Sequence, residues 1–180
     1  MMTNEDLERI RGWFTGRLPE EWRVAAPDVT VDREEITVVL TIADPMSDGE
    51  VAEGASEAEA DEARVGRVAA FREDTRGRRM AIAEEAQQRF ERKVSWGVRL
   101  AGIEDQTALF THVAAPVMTR LRQPQRLVLD TLVDAGVARS RADALAWCVR
   151  LVGQHEEDWL GELRQAMESV ADVRAKGPAA

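Results

Sequence analysis

Cysteine is almost missing from this sequence: Cys148 is the only one among 180 residues. A lone cysteine excludes a disulfide within the chain, and its apolar setting in ALAWCVRLV reads as a packed thiol in a reducing compartment. Histidine is nearly as scarce. His112 and His155 both lie far from Cys148 in sequence, so neither a cysteine–histidine nucleophile pair nor a zinc ligand set is indicated. No apolar run reaches the roughly 18 residues that a membrane helix needs, and the opening MMTNEDLERIRGW has no basic segment leading into an apolar one. The expectation is a cytoplasmic protein that avoids membranes. The phosphate-cradling loops G-x-x-x-x-G-K-[ST] and G-x-G-x-x-G are missing too. Acidic pairs such as Glu20/Glu21 and Glu84/Glu85 occur, but 33 acids in one chain produce pairs by chance. With no metal, cofactor or catalytic constellation indicated, the expectation is a non-enzyme.

What is present is a core's worth of apolar residues, 44% of the chain, and a net charge of −9 that is unevenly spread. Residues 1–115 carry 15 basic and 24 acidic groups, residues 116–154 carry 6 and 3, and residues 155–180 carry 3 and 6. An electropositive island therefore lies between acidic flanks.

The spacing along residues 1–115 predicts a mixed α/β region. Leu7, Ile10, Trp13, Phe14 and Leu18 recur at helical spacing behind a Thr3 or Asn4 cap. Ile36, Val38, Val39, Leu40 and Ile42, set among threonines, give the clearest strand pattern in the chain. Residues 44–62 are acidic with little to bury, so they read as a solvated, loosely ordered loop; a Ca²⁺ site, without EF-hand spacing to support it, and nucleic-acid mimicry are the alternatives. From Ala60 to about Lys93 a long helix is expected, divisible at Gly66 or Gly77. Arg72, Arg76 and Arg79 form a basic ridge on it, either a second phosphate-binding surface or a solvated face ion-paired to Glu73, Asp74, Glu84 and Glu85. KVSWGVRLAGIEDQTALFTHV then suggests a hairpin.

The island has its own order of elements. Between Pro116 and Arg122 the odd positions Val117, Thr119 and Leu121 share one strand face, and the even positions Met118, Arg120 and Arg122 the other. Pro124 suits the first turn of a helix carrying Leu127, Leu129, Leu132 and Val133, and Gly136 ends it. Ser140 with Asp143 three residues on opens a second helix in the manner of a capping box. After Gly153, Trp159, Leu160, Leu163, Met167 and Val170 mark a third, amphipathic helix and a frayed tail over 154–180.

A short basic strand VMTRLRQ, a proline opening a helix, the glycine turn DAGVARS and the helix start SRADAL together make residues 116–153 resemble the ribbon-helix-helix family of DNA-binding proteins. Together with the patterns on either side, the resemblance gives the expectation of an α+β chain: a mixed domain over 1–115 of unknown role, then a ribbon-helix-helix dimerisation module over 116–153, then the extra helix. It implies a homodimer whose two strands pair into an antiparallel ribbon that enters the major groove of double-stranded DNA. Met118, Arg120 and Arg122 fall where the family's base-contacting side chains lie, and Arg139, Ser140, Arg141 and Ala142 where it anchors phosphate. Leu121, Leu129, Leu132, Leu145, Val149 and Val152 would build the intertwined core, with Trp147 and Cys148 at its margin. The function implied is transcriptional regulation, with a protein or small-molecule effector at the N-terminal domain. The alternative is a scaffold dimer of the same fold that does not bind DNA and whose arginines are buried in ion pairs.

Overall fold

The computed structural model describes residues 4–47, 54–103, 106–111 and 113–176. The chain is α+β and divides into two compact units, residues 1–115 and 116–180. Among the described residues no helix is long and apolar enough to cross a membrane.

The first unit begins with helix α1 (Asn4–Arg17), whose Ile10 and Phe14, with Leu18 just beyond, bury one stripe. Strands β1 (Asp28–Val31) and β2 (Glu35–Ile42) follow, then helices α2 (Glu57–Asp74) and α3 (Arg76–Phe90), then β3 (Lys93–Leu100) and β4 (Thr107–Leu109). The sheet order is β1-β2-β3-β4. The outer pairs are antiparallel, whereas β2 and β3 run parallel with Val38 opposite Trp96, as a connection through two helices allows. Alternate residues of the two central strands, Ile36, Val38, Leu40 and Ile42 of β2 and Val94, Trp96, Val98 and Leu100 of β3, belong to one core, the period of two of a strand with one face turned inward. Ile36, Val38, Leu40 and Ile42 pack with Phe14, Ile82 and Trp96 in one core. Gly97 lies where the sheet is tightest. A Cβ there would come within 2.6 Å of Leu109 Cδ2 and 3.2 Å of the Ala108 carbonyl oxygen.

The expected strand at 36–42 and the hairpin are present, with residues 104–105 of its turn outside the described set. Strand β1 was not anticipated. It is held by a tight turn in which Asp32 Oδ1 accepts from the amides of Glu34 and Glu35, at 2.8 and 2.7 Å. The acidic stretch needs correction. Asp44 is buried, and α2 starts at Glu57, inside what composition suggested was loop. Ser56 Oγ accepts from the Glu59 amide while Glu59 Oε2 accepts from the Ser56 amide, a complete capping box that the acids of the first turn reinforce. Residues 48–53 of that stretch lie outside the described set. The long helix breaks at neither glycine but at Thr75, whose hydroxyl donates to the Phe71 carbonyl at 2.6 Å.

The second unit holds α4 (Gln123–Asp134), α5 (Arg141–His155) and α6 (Glu157–Lys176). Pro124 sits in the first turn of α4, and Gly136 closes it with φ +74°. Ser140 caps α5, its Oγ accepting from the Asp143 amide at 3.2 Å. The reciprocal half of the box goes to a different amide, that of Arg139, at 3.0 Å from Asp143 Oδ2. The strand expected over 116–122 does not form in the single chain, where those residues carry no regular secondary structure. A strand needs a neighbour for its backbone groups, and among the described residues none pairs with this segment. Among the described residues of this unit, only Leu129, Ala138 and Ala144 are buried.

Candidate functional site

The segment ahead of α4 holds its arginines in two different ways. Arg126 turns back, its Nη1 donating to the Leu121 carbonyl at 2.7 Å, while Gln125 Oε1 accepts from the Arg122 amide at 2.8 Å. These contacts fasten the segment to the start of the helix. Arg120 and Arg122, by contrast, are exposed, and among the described residues neither enters a salt bridge. Met118 is 95% exposed and Val117 85%. The charges at Arg120 and Arg122 are thus available to an external anion.

At the start of α5 the four residues expected to hold phosphate are adjacent but partly occupied. Arg141 grips Asp130 of α4 through two parallel bonds, Nε to Oδ1 at 2.6 Å and Nη2 to Oδ2 at 2.8 Å. That pairing holds the Asp130 carboxyl below, and the Arg141 guanidinium above, its ordinary pKa. Arg139 leans on Asp143 with Nε 3.4 Å from Oδ2, and Asp143 is lowered by the Arg139 amide first and its side chain second. An acid in the first turn already satisfies part of the helix's positive end. The amides of Arg141 and Ala142 precede the helix's own acceptors, so α5 still presents donors beside Ser140.

Apolar exposure surrounds these residues. Leu127, Val128, Val149 and Val152 are each at least 50% exposed on α4 and α5, and Trp159 and Met167 more than 50% on α6. Leu121, Leu132, Leu145 and Cys148 pack only partly against the small core. Of the six residues expected to form a dimer core, Leu129 alone is buried within one chain.

The basic ridge of the first unit differs from a solvated, ion-paired face. Arg72 and Arg76 are exposed, Arg79 is buried, and none of the three is salt-bridged among the described residues. The acids expected to neutralise them do not do so: Glu85 binds Arg17 instead, at 2.6 Å. Two cavities, of about 720 and 390 Å³, flank Arg72 and Phe110. Sequence reasoning missed both, since their walls come from α2, α3, β3 and the chain around β4, which no local pattern connects. Among the described residues no cluster of three or more His, Cys, Asp or Glu side chains gathers to hold a metal.

Comparison with known proteins places both units. Residues 8–107 match the family described as Rv1265-like protein, N-terminal domain, and residues 122–174 match the one described as Mb1296 C-terminal domain. Protein Mb1296 of Mycobacterium bovis and protein Rv1265 of Mycobacterium tuberculosis are each 58% identical over 173 residues, covering 96% of this chain and 72% of theirs. No solved structure matches significantly.

Proposed function

The chain belongs to the family of Rv1265-like proteins, whose mycobacterial members match it across both units, and from this premise we propose that it is a homodimeric, sequence-specific DNA-binding regulator acting in the cytoplasm. Residues 116–153 serve as a ribbon-helix-helix module. Two copies pair residues 116–122 into an antiparallel ribbon, and Met118, Arg120 and Arg122 meet base edges in the major groove. Arg139, Ser140, Arg141 and Ala142 hold the flanking phosphates, with Asp130 and Asp143 exchanging their arginines for DNA on binding. The protein performs no catalysis in this reading.

One observation carries the proposal: among its described residues the second unit buries only Leu129, Ala138 and Ala144 and leaves Leu127, Val128, Val149 and Val152 at least half exposed. A unit of this size with so small a core gains little from burial alone, and a second copy supplies both the missing core and the missing strand. The free state of Arg120 and Arg122 favours DNA over the scaffold alternative, in which those arginines are buried in ion pairs. The chain's net charge of −9 opposes DNA at long range, but screening confines that repulsion to about 8 Å at physiological salt, so local arginines dominate.

The test is binding to a pool of genomic fragments at two salt concentrations, with the double substitution Arg120→Ala and Arg122→Ala alongside. The wild type should select fragments, and each phosphate contact should add about 0.9 to the log–log salt slope. The variant, still folded and dimeric, should lose selection while keeping residual nonspecific binding. If neither protein binds at low salt, the regulator reading is wrong and the ribbon only dimerises.

A further inference from the structure

Where α2 meets α3, two arginines, Arg72 and Arg79, lie over the ring of Phe110, and a third, Arg76, lines the cavity beside them. Arg79 is only 6% exposed. Its Nε donates to Thr75 Oγ1 at 2.9 Å and its Nη2 to the Arg72 carbonyl at 2.7 Å. Its guanidinium lies 4.8 Å from the centre of the Phe110 ring, and that of Arg72 lies 5.8 Å from the same ring. Burial first, and then the charges of Arg72 and Arg76, pull the Arg79 pKa below its ordinary value, with only Glu73 acting against them. Hydrogen bonds to a hydroxyl and a carbonyl orient this cation without neutralising it. Burying an unneutralised charge is costly, and the cost falls when an anion arrives.

The surroundings have the shape for such an anion. The 390 Å³ cavity is lined by Arg72, Arg76 and Arg79 together with Trp96 and Phe110. The 720 Å³ cavity shares Arg72, Glu73 and Phe110 with it and is otherwise walled largely by apolar side chains, among them Val68, Val98 and Ile103. Arg99 also lines this larger cavity, and its Nε is buried with no hydrogen-bond partner among the described residues. Concave, mostly apolar space of several hundred Å³ with a few convergent polar groups is typical of small-molecule sites.

We propose that these adjoining cavities are one binding site for a small phosphorylated organic molecule, its phosphate held by Arg72, Arg76 and Arg79 and its apolar body lying along Phe110 in the larger cavity. In the smaller cavity three guanidiniums face one carboxylate, that of Glu73, which favours a ligand of more than one negative charge, and the planar fork of arginine matches phosphate oxygens. A DNA backbone is the poorer fit. Its phosphates would reach the exposed Arg72 and Arg76, but not a guanidinium recessed among side chains.

The experiment is calorimetric titration of the full-length protein with phenyl phosphate, inorganic phosphate and a short DNA duplex. Phenyl phosphate should bind saturably, and inorganic phosphate about tenfold more weakly, because it forgoes the apolar contacts. The double variant Arg72→Ala, Arg76→Ala removes two exposed charges and should retain the fold while weakening phenyl phosphate about a hundredfold. Arg120→Ala with Arg122→Ala should leave that affinity unchanged, so failure of the DNA reading and failure of this one are separable. Equal affinity for inorganic and phenyl phosphate, no saturable binding of phenyl phosphate at millimolar concentration, or wild-type affinity in the Arg72/Arg76 variant would each overturn the proposal. So would a duplex that competes with phenyl phosphate and loses affinity in the same variant, since the ridge would then be a nucleic-acid surface.

Discussion

The two units of this chain use apolar residues in opposite ways. Residues 1–115 close upon themselves: Phe14, Ile36, Val38, Leu40 and Ile82 are at most 1% exposed, and a four-stranded sheet with three helices supplies layers to cover them. Residues 116–180 are richer in leucine and valine, yet among the described ones Leu129 is the only large side chain buried. The difference lies in connectivity rather than hydrophobicity. In the first unit, helices and strands from distant parts of the chain bring apolar faces against one another; in the second, three consecutive helices and an unpaired segment have too few facing layers to do so. Completeness is therefore a property of the first unit's own fold, whereas the proposed dimer would supply it to the second.

Breaking the first unit should give the largest effect. Phe14→Ala removes a fully buried ring and should cost about 3–5 kcal/mol. Hydrogen exchange should show the loss across β2 and β3 while α4 and α5 keep their protection; an equal loss in both regions would show one cooperative body in place of two. Next in size, Val149→Asp puts a charge on a face that is exposed in one chain and buried in the proposed dimer. Dimerisation should weaken about a hundredfold by sedimentation analysis, with the exchange pattern of residues 4–103 unchanged. If the variant dimerises like the wild type, the open face is not the interface.

Acid should produce the smallest effect, sharpening the comparison from the side of charge. The Asp130 carboxyl is lowered in the folded chain by its bonds to Arg141, so its contribution is present above the unfolded value near 3.8 and is lost as pH falls below it. Glu85, lowered by Arg17, behaves alike from a starting value near 4.5 in the first unit. Both groups are exposed, so the effects are modest. Asp130→Asn should flatten the acid limb of the melting temperature for residues 116–176 below about pH 4 and leave that of the first unit alone. An unchanged acid limb would mean that the pair adds nothing to stability.

Local grammar made some of this legible. The cap at Ser140, the proline opening α4, the glycine closing it and the run of β-branched residues in β2 are each decided within a few residues by hydrogen bonds and steric limits. The same grammar was present at Ser56 and Glu59, but the acidic composition around them outweighed it, and α2 was read as beginning too late. Strand β1 was too short to stand out, and only its pairing with β2 makes it a strand.

The sequence by itself determined the caps that open and close α4 and open α5, the apolar pattern of β2, and that arginines cluster in two places. Only the tertiary structure decided what those clusters are. Arg79 became a buried cation because a helix break at Thr75 and the chain after β4 closed over it, whereas Arg120 and Arg122 are exposed and enter no salt bridge among the described residues. Burial depends on which distant segments meet, and residue spacing along the chain carries that information only weakly.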